Sequence, residues 1–295
     1  MLERQAGVLG ATSLVGECLL RQLAQDKWRV TAFSRRPVTQ SHAQISWRQL
    51  DSPAQIRAHS GPHKKIAMWL CIAPIWILPA YFSLLLAHGA RRIIVLSSTS
   101  RFTKNNSPDP GEQAIAQRLA DNETQLSSWA AANEIEWIIL RPTLIYGYGR
   151  DKNITEIARF IRRFGFFPLL GTAHGLRQPI HAEDVAAACL AALTAHHVSN
   201  RAYNLTGLEK LSYRDMVQRI FTALGQRPRL LTVSPYFFQL AIKGLRWLPR
   251  YRHWTPAMAE RMNTDLVFDD SDTRRDLHFS PRPLNLTIKE LITRS

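Results

Sequence analysis

The sequence predicts a doubly wound α/β fold, in which helices cover both faces of a mostly parallel sheet. Short apolar runs alternate with helical patterns through residue 142, and a glycine-containing turn joins the first apolar run to the first helical pattern. Such strand–helix alternation is typical of βαβ units. A chain of 295 residues is long enough for this domain and a smaller lobe.

The predicted elements follow one another in βα order. Strands are predicted over residues 6–10, 28–34, 66–72, 91–98, 136–142 and 202–206, and helices over 16–25, 79–88, 111–133, 154–164, 185–197 and 213–225. Asp184 is placed to cap the helix at 185–197. We predict one domain over 1–165, to which 177–206 returns, and a smaller C-terminal substrate lobe over most of 166–295.

The stretch from residue 66 to 87 has no charged side chain and is long enough to span a bilayer. Pro74 and Pro79 interrupt it, and strands buried on both faces of a parallel sheet are also continuously apolar. We therefore predict a buried strand over 66–72, a proline turn and a helix that ends near His88. A membrane-spanning segment is the alternative.

Composition argues against several kinds of site. Cys18, Cys71 and Cys189 have no paired spacing, which is typical of thiols in a reducing compartment rather than of a disulfide framework. The ten histidines show no metal-ligand spacing either. The first residues, MLERQ, lead straight into the glycine turn, so we expect no signal peptide. We expect a cytoplasmic protein without a metal site.

The net charge of +15 indicates an anionic partner. Because no motif of a nucleic-acid-binding module occurs, we expect a phosphorylated small molecule and no nucleic acid. The segment 237–256 mixes aromatic residues with arginines. It either packs as a helix of the lobe or makes a peripheral contact with an anionic membrane.

Residues 7–16, GVLGATSLVG, join the first strand to the first helix. In a Rossmann dinucleotide-binding turn, the first glycine permits the tight turn, the second lets backbone approach the pyrophosphate, and the third lets helix and strand pack closely. The middle glycine is replaced here by serine, which is small and whose hydroxyl can donate to a phosphate oxygen. We predict a dinucleotide site that includes Gly10, Thr12, Ser13, Leu14, Val15 and Gly16.

The second strand ends in Ser34, Arg35 and Arg36, with no acidic residue nearby. An acidic residue there would bind the ribose hydroxyls of NAD, whereas arginine pairs with the 2′-phosphate of NADP. We therefore predict NADP(H) as the preferred cofactor and NAD(H) as the alternative. Two surface arginines at a strand end are the purely structural interpretation.

Six segments together resemble extended short-chain dehydrogenases/reductases, and more narrowly the nucleoside-diphosphate-sugar epimerase/dehydratase family. They are GATSLVG (10–16), SRR (34–36), LSSTS (96–100), LRPTLIYGYGR (140–150), RQPIHAEDVAAA (177–188) and YNLTG (203–207). This resemblance covers residues 6 to 207. It implies a Rossmann domain that acts on a nucleotide sugar with NAD(P), and we also expect a homodimer.

The resemblance implies roles for individual residues. Thr99 matches the family's catalytic Ser/Thr, which hydrogen-bonds the reacting sugar oxygen, and Arg177 matches an arginine that often meets the substrate diphosphate. Ser100 and Tyr146 would border the substrate. Further cofactor contacts would come from Asp51, Ala73, Pro74, Ser97 and Pro142.

The family's general base is absent from its usual place. The family has a tyrosine, then a lysine four residues later and a glutamate four residues after that, on the helix that follows LSSTS. Aligning the glutamate with Glu123 puts Ile115 and Leu119 where tyrosine and lysine should be. The literal match YGRDK (148–152) follows a later strand, so we predict that it lies in a loop, from which Tyr148 could still enter the cleft as the proton-transfer residue.

Two functions follow from these patterns. The first is an atypical epimerase, dehydratase or reductase, in which Thr99 orients the reacting oxygen and Tyr148 or a water transfers the proton. The second is a non-catalytic NADP(H)-binding protein with an assembly, structural or redox-sensing role. Loss of the tyrosine and lysine beside a retained phosphate turn is the pattern that the second function predicts.

Overall fold

The computed structural model describes residues 4–39, 42–50, 65–234 and 260–292. Asp51 and the segment 237–256 lie outside the described residues. The strands are β1 (Gln5–Leu9), β2 (Arg29–Ser34), β3 (Ile45–Gln49), β4 (Met68–Cys71), β5 (Arg92–Leu96), β6 (Glu136–Pro142), β7 (Ile145–Tyr146), β8 (Phe167–Leu170), β9 (Leu176–Arg177), β10 (Ile180–His181), β11 (Arg201–Leu205), β12 (Leu211–Ser212) and β13 (Leu230–Val233).

The helices connect these strands. They are α1 (Leu14–Gln25), α2 (Phe82–Ala87), α3 (Ser100–Thr103), α4 (Pro110–Ala132), α5 (Ile154–Phe164), α6 (Ala182–Thr194), α7 (Tyr213–Ala223), α8 (Ser271–Leu277) and α9 (Ile288–Leu291), with 3₁₀ helices at Ile75–Tyr81 and Arg261–Asn263.

The central sheet confirms the doubly wound α/β fold. Its seven strands lie in the order β11, β6, β5, β4, β1, β2, β3, and each neighbouring pair is parallel. The order reverses between β1 and β4, because the chain leaves β1 toward one edge and returns at β4 toward the other. A crevice at the carboxyl ends of the strands on either side of such a reversal is where doubly wound sheets bind their ligands.

Helices cover both faces of this sheet. Successive strand residues point to opposite faces, so Ile94 lies in the core shared with α1 and α6, whereas Ile93 lies in the core shared with α2 and α4. Both side chains are fully buried. The two cores explain why the strands are continuously apolar instead of alternating.

The apolar stretch from residue 66 to 87 forms the buried strand and the helical segment that the sequence predicts. In β4, Trp69 and Leu70 have no exposed surface. A 3₁₀ helix follows Pro74, and α2 ends at Ala87. In the part of the chain that the structure describes, no helix combines the length and apolarity needed to cross a membrane.

A third core lies beside the sheet. Phe160 of α5, Phe167 of β8 and Phe221 of α7 pack together in it, and Leu291 of α9 joins them from the C-terminal segment. The segment 177–206 supplies β10, α6 and β11, and β11 pairs with β6 at one edge of the sheet. The segment 177–206 thus returns to the central sheet, and the division into two domains stays a prediction.

The predicted cap of the helix at 185–197 is wrong. α6 begins at Ala182, and its N-cap is His181, whose Nδ1 accepts a hydrogen bond from the Glu183 N–H at 3.2 Å. Asp184 therefore lies inside the first turn, where its carboxylate accepts from the Arg282 N–H at 3.0 Å and from Arg282 Nε at 2.8 Å. The acidic side chain ties the C-terminal segment to α6 instead of capping the helix.

Arg92 joins β5 to the end of α6. Its Nη2 donates to three backbone carbonyls, those of Ala192, Ala195 and Val198, at 2.8 to 2.9 Å, and its Nη1 pairs with Glu136. The side chain is 3% exposed. The last carbonyls of a helix lack intrahelical donors, so this guanidinium supplies donors to buried carbonyls, of which that of Ala195 also accepts from the Val198 N–H.

Replacing Arg92 is expected to destabilise the protein strongly. Arg92→Ala leaves buried carbonyls without donors, and we expect the free energy of unfolding to fall by about 3 kcal/mol. Urea unfolding measures the change. Arg91→Ala, at an exposed neighbouring position, is the control and should shift it by less than about 0.5 kcal/mol. Equal losses in both variants would contradict the anchoring role.

Candidate dinucleotide and substrate site

The turn after β1 requires glycine at two positions. Gly10 has φ +82°, and a Cβ there would lie 2.4 Å from the backbone nitrogen of Ala73. A Cβ on Gly16 would lie 2.4 Å from the carbonyl oxygen of Gly10. The loops after β1 and β4 therefore touch, and the first turn of α1 rests directly on the turn before it.

Ser13 retains a structural role in this turn. Its backbone N–H donates to the Gly10 carbonyl at 3.0 Å, and its Oγ accepts from the Gly16 N–H at 3.0 Å as the N-cap of α1. Because the oxygen acts as an acceptor in this contact, the hydroxyl hydrogen remains able to donate. A serine at this position therefore caps the helix and still offers a donor to a phosphate.

The predicted cofactor residues of this region lie around one crevice. Thr12 is exposed and Leu14 is half-buried at the start of α1, whereas Val15 packs in the core below. Ala73 and Pro74 follow β4, whose Ile72 N–H donates to the Leu9 carbonyl at 2.8 Å. The positive end of α1 opens onto the crevice between β1 and β4, where a helix N-terminus favours anions.

A cavity of about 220 Å³ lies at the carboxyl ends of β2 and β3. The Ser34 Oγ shapes its rim by accepting from the Arg36 N–H at 3.2 Å. Arg35 is exposed beside the cavity but does not line it. The lining residues are Ser34, Arg36, Pro37, Val38, Trp47, Arg48 and Gln49.

Arg48 is a cation that sequence reasoning missed. It faces this cavity from β3, where Phe33 of β2 is its register partner. The only sequence signal was a basic residue near the end of β3, which is not among the predicted strands. Arg36 and Arg48 together make the cavity suited to an anion.

Thr99 lies at the carboxyl end of β5, where the resemblance puts the catalytic Ser/Thr. Its backbone N–H and its Oγ1 both donate to the Pro142 carbonyl at 3.2 Å, and the side chain is 6% exposed. Ser100 begins α3 directly afterwards. Because the Thr99 hydroxyl donates its hydrogen to the Pro142 carbonyl, its oxygen is left to accept a hydrogen bond from a substrate hydroxyl.

Glu123 of α4 binds three side chains close to Thr99 in the chain or in space. It is 3% exposed and accepts from Arg141 at 2.6 Å, from Arg101 and from Ser97. Burial alone would raise the pKa of Glu123, but the hydrogen bonds from Arg141 and Ser97 and the charges of Arg141 and Arg101 hold it below its ordinary value. This carboxylate is therefore an ionised clamp between β5, α3 and β6 and has no proton to give.

Ile115 and Leu119, which align with the family's tyrosine and lysine, both lie on α4. Leu119 is 3% exposed and packs in the core shared with β4 and β5, whereas Ile115 is 39% exposed. Neither carries a proton-transfer group. Nearby Glu112 pairs with Arg261 and accepts from Ser107 at 2.8 Å, which keeps its pKa below the ordinary value in spite of burial.

Tyr148 lies in a loop, as predicted, where its side chain contacts α1 and α6, and its role in proton transfer stays a prediction. Its hydroxyl donates to Glu183 of α6, and the Arg21 guanidinium of α1 lies 5.2 Å from the ring centroid. Burial and the hydrogen bond to Glu183 raise the pKa of Tyr148 to about 12. The contacts of Tyr148 are thus on the α1 and α6 side of the sheet, opposite the α4 side.

Arg177 and Tyr146 are buried between the sheet and the lobe. Arg177 Nη1 donates to the carbonyls of Leu176 and Thr264 at 2.8 Å, and its Nη2 donates to that of Arg261. Burial lowers the pKa of Arg177 to about 10. Tyr146 is 1% exposed and contacts His181 edge to face at 5.1 Å. These contacts are with the protein itself, and the role of Arg177 at a substrate diphosphate stays a prediction.

Candidate metal ligands do not cluster within residues 4–39, 42–50, 65–234 and 260–292. No group of three or more His, Cys, Asp or Glu side chains there has a metal-binding arrangement. The three cysteines are buried and free, and burial raises the pKa of the Cys71 thiol to about 12.

The chain is similar in sequence to known proteins. Residues 81–206 match the model of the NAD dependent epimerase/dehydratase family. The uncharacterized protein y4nG of Sinorhizobium fredii is 23% identical over 307 residues, which cover 96% of this chain and 76% of that protein. NADH dehydrogenase [ubiquinone] 1 alpha subcomplex subunit 9 of Arabidopsis thaliana mitochondria is 30% identical over 95 residues, or 32% of this chain and 23% of that protein.

The fold recurs among solved structures. The structure of MoeE5 in complex with UDP-glucose and NAD has a TM-score of 0.68 and 19% identity, and the match covers 97% of this chain and 95% of that chain. At this identity the likeness establishes the fold alone. The matched segment confirms that residues 81–206 resemble the NAD dependent epimerase/dehydratase family.

Proposed function

We propose that this protein binds a nicotinamide dinucleotide, NADP(H) in preference to NAD(H), and uses it on a nucleotide sugar or a similar anionic alcohol or carbonyl. The observation that carries the proposal is the turn after β1, where a Cβ added to Gly10 or to Gly16 would lie 2.4 Å from a backbone atom. That arrangement leaves an open helix N-terminus at the crevice where doubly wound sheets bind dinucleotides.

The residues around the crevice fit the parts of the cofactor. Ser13 and the first turn of α1 would hold the pyrophosphate through N–H and hydroxyl donors. Arg36 and Arg48 would hold a 2′-phosphate in the cavity beside β2. A bound nicotinamide would supply or accept the hydride. The MoeE5 complex with UDP-glucose and NAD makes a nucleotide sugar the first substrate class to test.

Thr99 would orient the substrate. Because its hydroxyl donates to Pro142, it would accept the hydrogen of the reacting alcohol and hold that oxygen at the end of β5. Removal of the proton would fall to a water molecule, since Ile115 and Leu119 carry no ionisable group and the nearby Glu123 is ionised and paired. A positioned base contributes about 10²- to 10⁴-fold to rate, so we expect slow turnover.

A second function has support of its own. The side chain at the lysine position, Leu119, is built into the core, and the 95-residue match is to a protein named as a subunit of a larger complex. We propose as the alternative that the protein holds its dinucleotide without turnover, in an assembly, structural or redox-sensing role. Such a protein would bind cofactor as tightly as an enzyme and leave every substrate unchanged.

Cofactor binding is tested by thermal unfolding with NADPH, with NADH and with neither. A ligand at 100 times its Kd adds about 2.7 kcal/mol of stability, so a clear rise in Tm is expected. NADPH should give the larger rise at equal concentration. The absence of a shift with both cofactors would sink both proposed functions.

Cofactor preference is tested at the cavity. Arg36→Ala and Arg48→Ala should each weaken NADPH binding about tenfold, since each removes a charge-assisted hydrogen bond worth about 1.5–3 kcal/mol, and leave NADH binding unchanged. Isothermal titration measures both. Arg29→Ala, at the opposite end of β2, is the matched control for lost charge. If only Arg35→Ala weakened NADPH binding, the contact with the 2′-phosphate would be assigned to Arg35 instead.

Catalysis is tested with a panel of nucleotide sugars, scored by nicotinamide absorbance and by product chromatography. If one reacts, Thr99→Val should lower kcat at least tenfold without changing cofactor affinity, because it keeps the shape and removes the acceptor. Thr99→Ser keeps the hydroxyl and should retain most activity. A protein that binds NADPH but converts no member of the panel would favour the non-catalytic function.

A further inference from the structure

The loop after β7 has an unusual backbone. Gly147, Tyr148 and Gly149 have φ values of +136°, +57° and +64°, so three successive residues lie in the left-handed region. Tyrosine is disfavoured there, and such a conformation persists only when its surroundings hold it. We refer to residues 147–151 as the Arg150 loop.

The Arg150 loop is held from several sides. Glu290 of α9 accepts from the Tyr148 N–H through its carboxylate at 2.9 Å and from the Gly149 N–H through its carbonyl at 2.8 Å. Arg159 of α5 donates to the Gly149 carbonyl at 3.3 Å. The Tyr148 hydroxyl donates to Glu183. These contacts fix the loop without any contribution from the Arg150 side chain.

Arg150 extends from this fixed loop to the dinucleotide turn. Its Nη1 lies 2.5 Å from Glu17 Oε2, and its Nη2 donates to the Thr12 carbonyl at 3.4 Å. Thr12 immediately precedes the N-cap Ser13, so the guanidinium lies at the rim of the phosphate turn. The Arg150 and Glu17 side chains are 36% and 48% exposed, and both can exchange partners.

A diphosphate at this rim would be repelled by the negative charge of Glu17 unless Arg150 neutralised it. Glu17 lies in the first turn of α1, where a carboxylate suits the helix dipole but repels a bound anion. Arg150 neutralises that carboxylate. A guanidinium also binds phosphate oxygens in the same forked geometry that it uses for carboxylates, and exposed ion pairs contribute little to stability, so a change of partner costs little.

We propose that Arg150 binds a diphosphate: it gives up its contact with Glu17 and binds the pyrophosphate of the dinucleotide at the rim of the glycine turn. The proposal rests on the proposed cofactor binding. It explains why a strained loop is held by contacts from α5, α6 and α9 that together aim one cation at the turn. A merely structural Arg150–Glu17 bridge would add nothing to a loop that is already fixed.

The test measures Kd by isothermal titration for NADPH, for ADP and for adenosine 2′-monophosphate, which lacks the diphosphate. Arg150→Ala should weaken NADPH and ADP binding about tenfold, since it removes a charge-assisted contact, and change adenosine 2′-monophosphate binding by less than twofold. Arg150→Lys should recover part of the loss. Glu17→Gln should bind ADP at least as tightly as the unaltered protein.

The double variant Glu17→Gln/Arg150→Ala separates contact from neutralisation. If Arg150 touches the diphosphate, the loss of ADP affinity persists when Glu17 carries no charge. Full recovery in the double variant, or unchanged ADP affinity in Arg150→Ala, would overturn the proposal. Equal weakening of adenosine 2′-monophosphate would also overturn it, since that result reports a general change in charge or folding.

Two controls complete the design. Arg29→Ala removes one positive charge at the far end of β2 and should leave all three affinities within twofold. Thermal unfolding without ligand should show that each variant is folded, because the exchanged pair is exposed. If the unaltered protein binds none of the three ligands, the proposed function itself fails, a result distinct from normal ADP binding by Arg150→Ala.

Discussion

The close approach of Gly10 to the backbone of Ala73 is the constraint on which the candidate site depends. It joins the loops after β1 and β4, the two strands between which the order of the sheet reverses. The approach is open only to a residue without a Cβ, and Gly16 repeats the condition in the first turn of α1. Because α1 is seated this closely, the Ser13 cap and the Thr12 carbonyl lie at the mouth of the crevice.

A second constraint acts through α4. This helix keeps Glu123, whose carboxylate joins Ser97, Arg101 and Arg141 and so ties together the ends of β5 and β6. One turn earlier it carries Leu119 among core side chains, where an ammonium group would be buried without a partner. Glu123 thus holds two strand ends together, whereas of the two aligned positions Leu119 packs in the core and Ile115 is exposed.

Much of the sheet could be predicted, because apolar runs and helical periodicity depend on short stretches of chain. The boundaries of β1, β2, β4 and β6 follow the predicted runs within two residues, and the glycine positions follow from the geometry of one turn. Side-chain partners could not be predicted in this way. Arg48 faces the cavity because β3 pairs with β2, and Asp184 meets Arg282 from nearly a hundred residues away.

By itself, the sequence determined the doubly wound α/β fold, the glycine turn after β1, the basic end of the second strand and the absence of the tyrosine–lysine pair from α4. Each of these depends on residue types at local spacing. Only the tertiary structure decided that Tyr148 bonds Glu183 on the far side of the sheet, and that Arg150 reaches the dinucleotide turn. Those outcomes depend on how α1, α6 and the C-terminal segment pack around one loop, and such long-range packing has no signature within the loop's own residues.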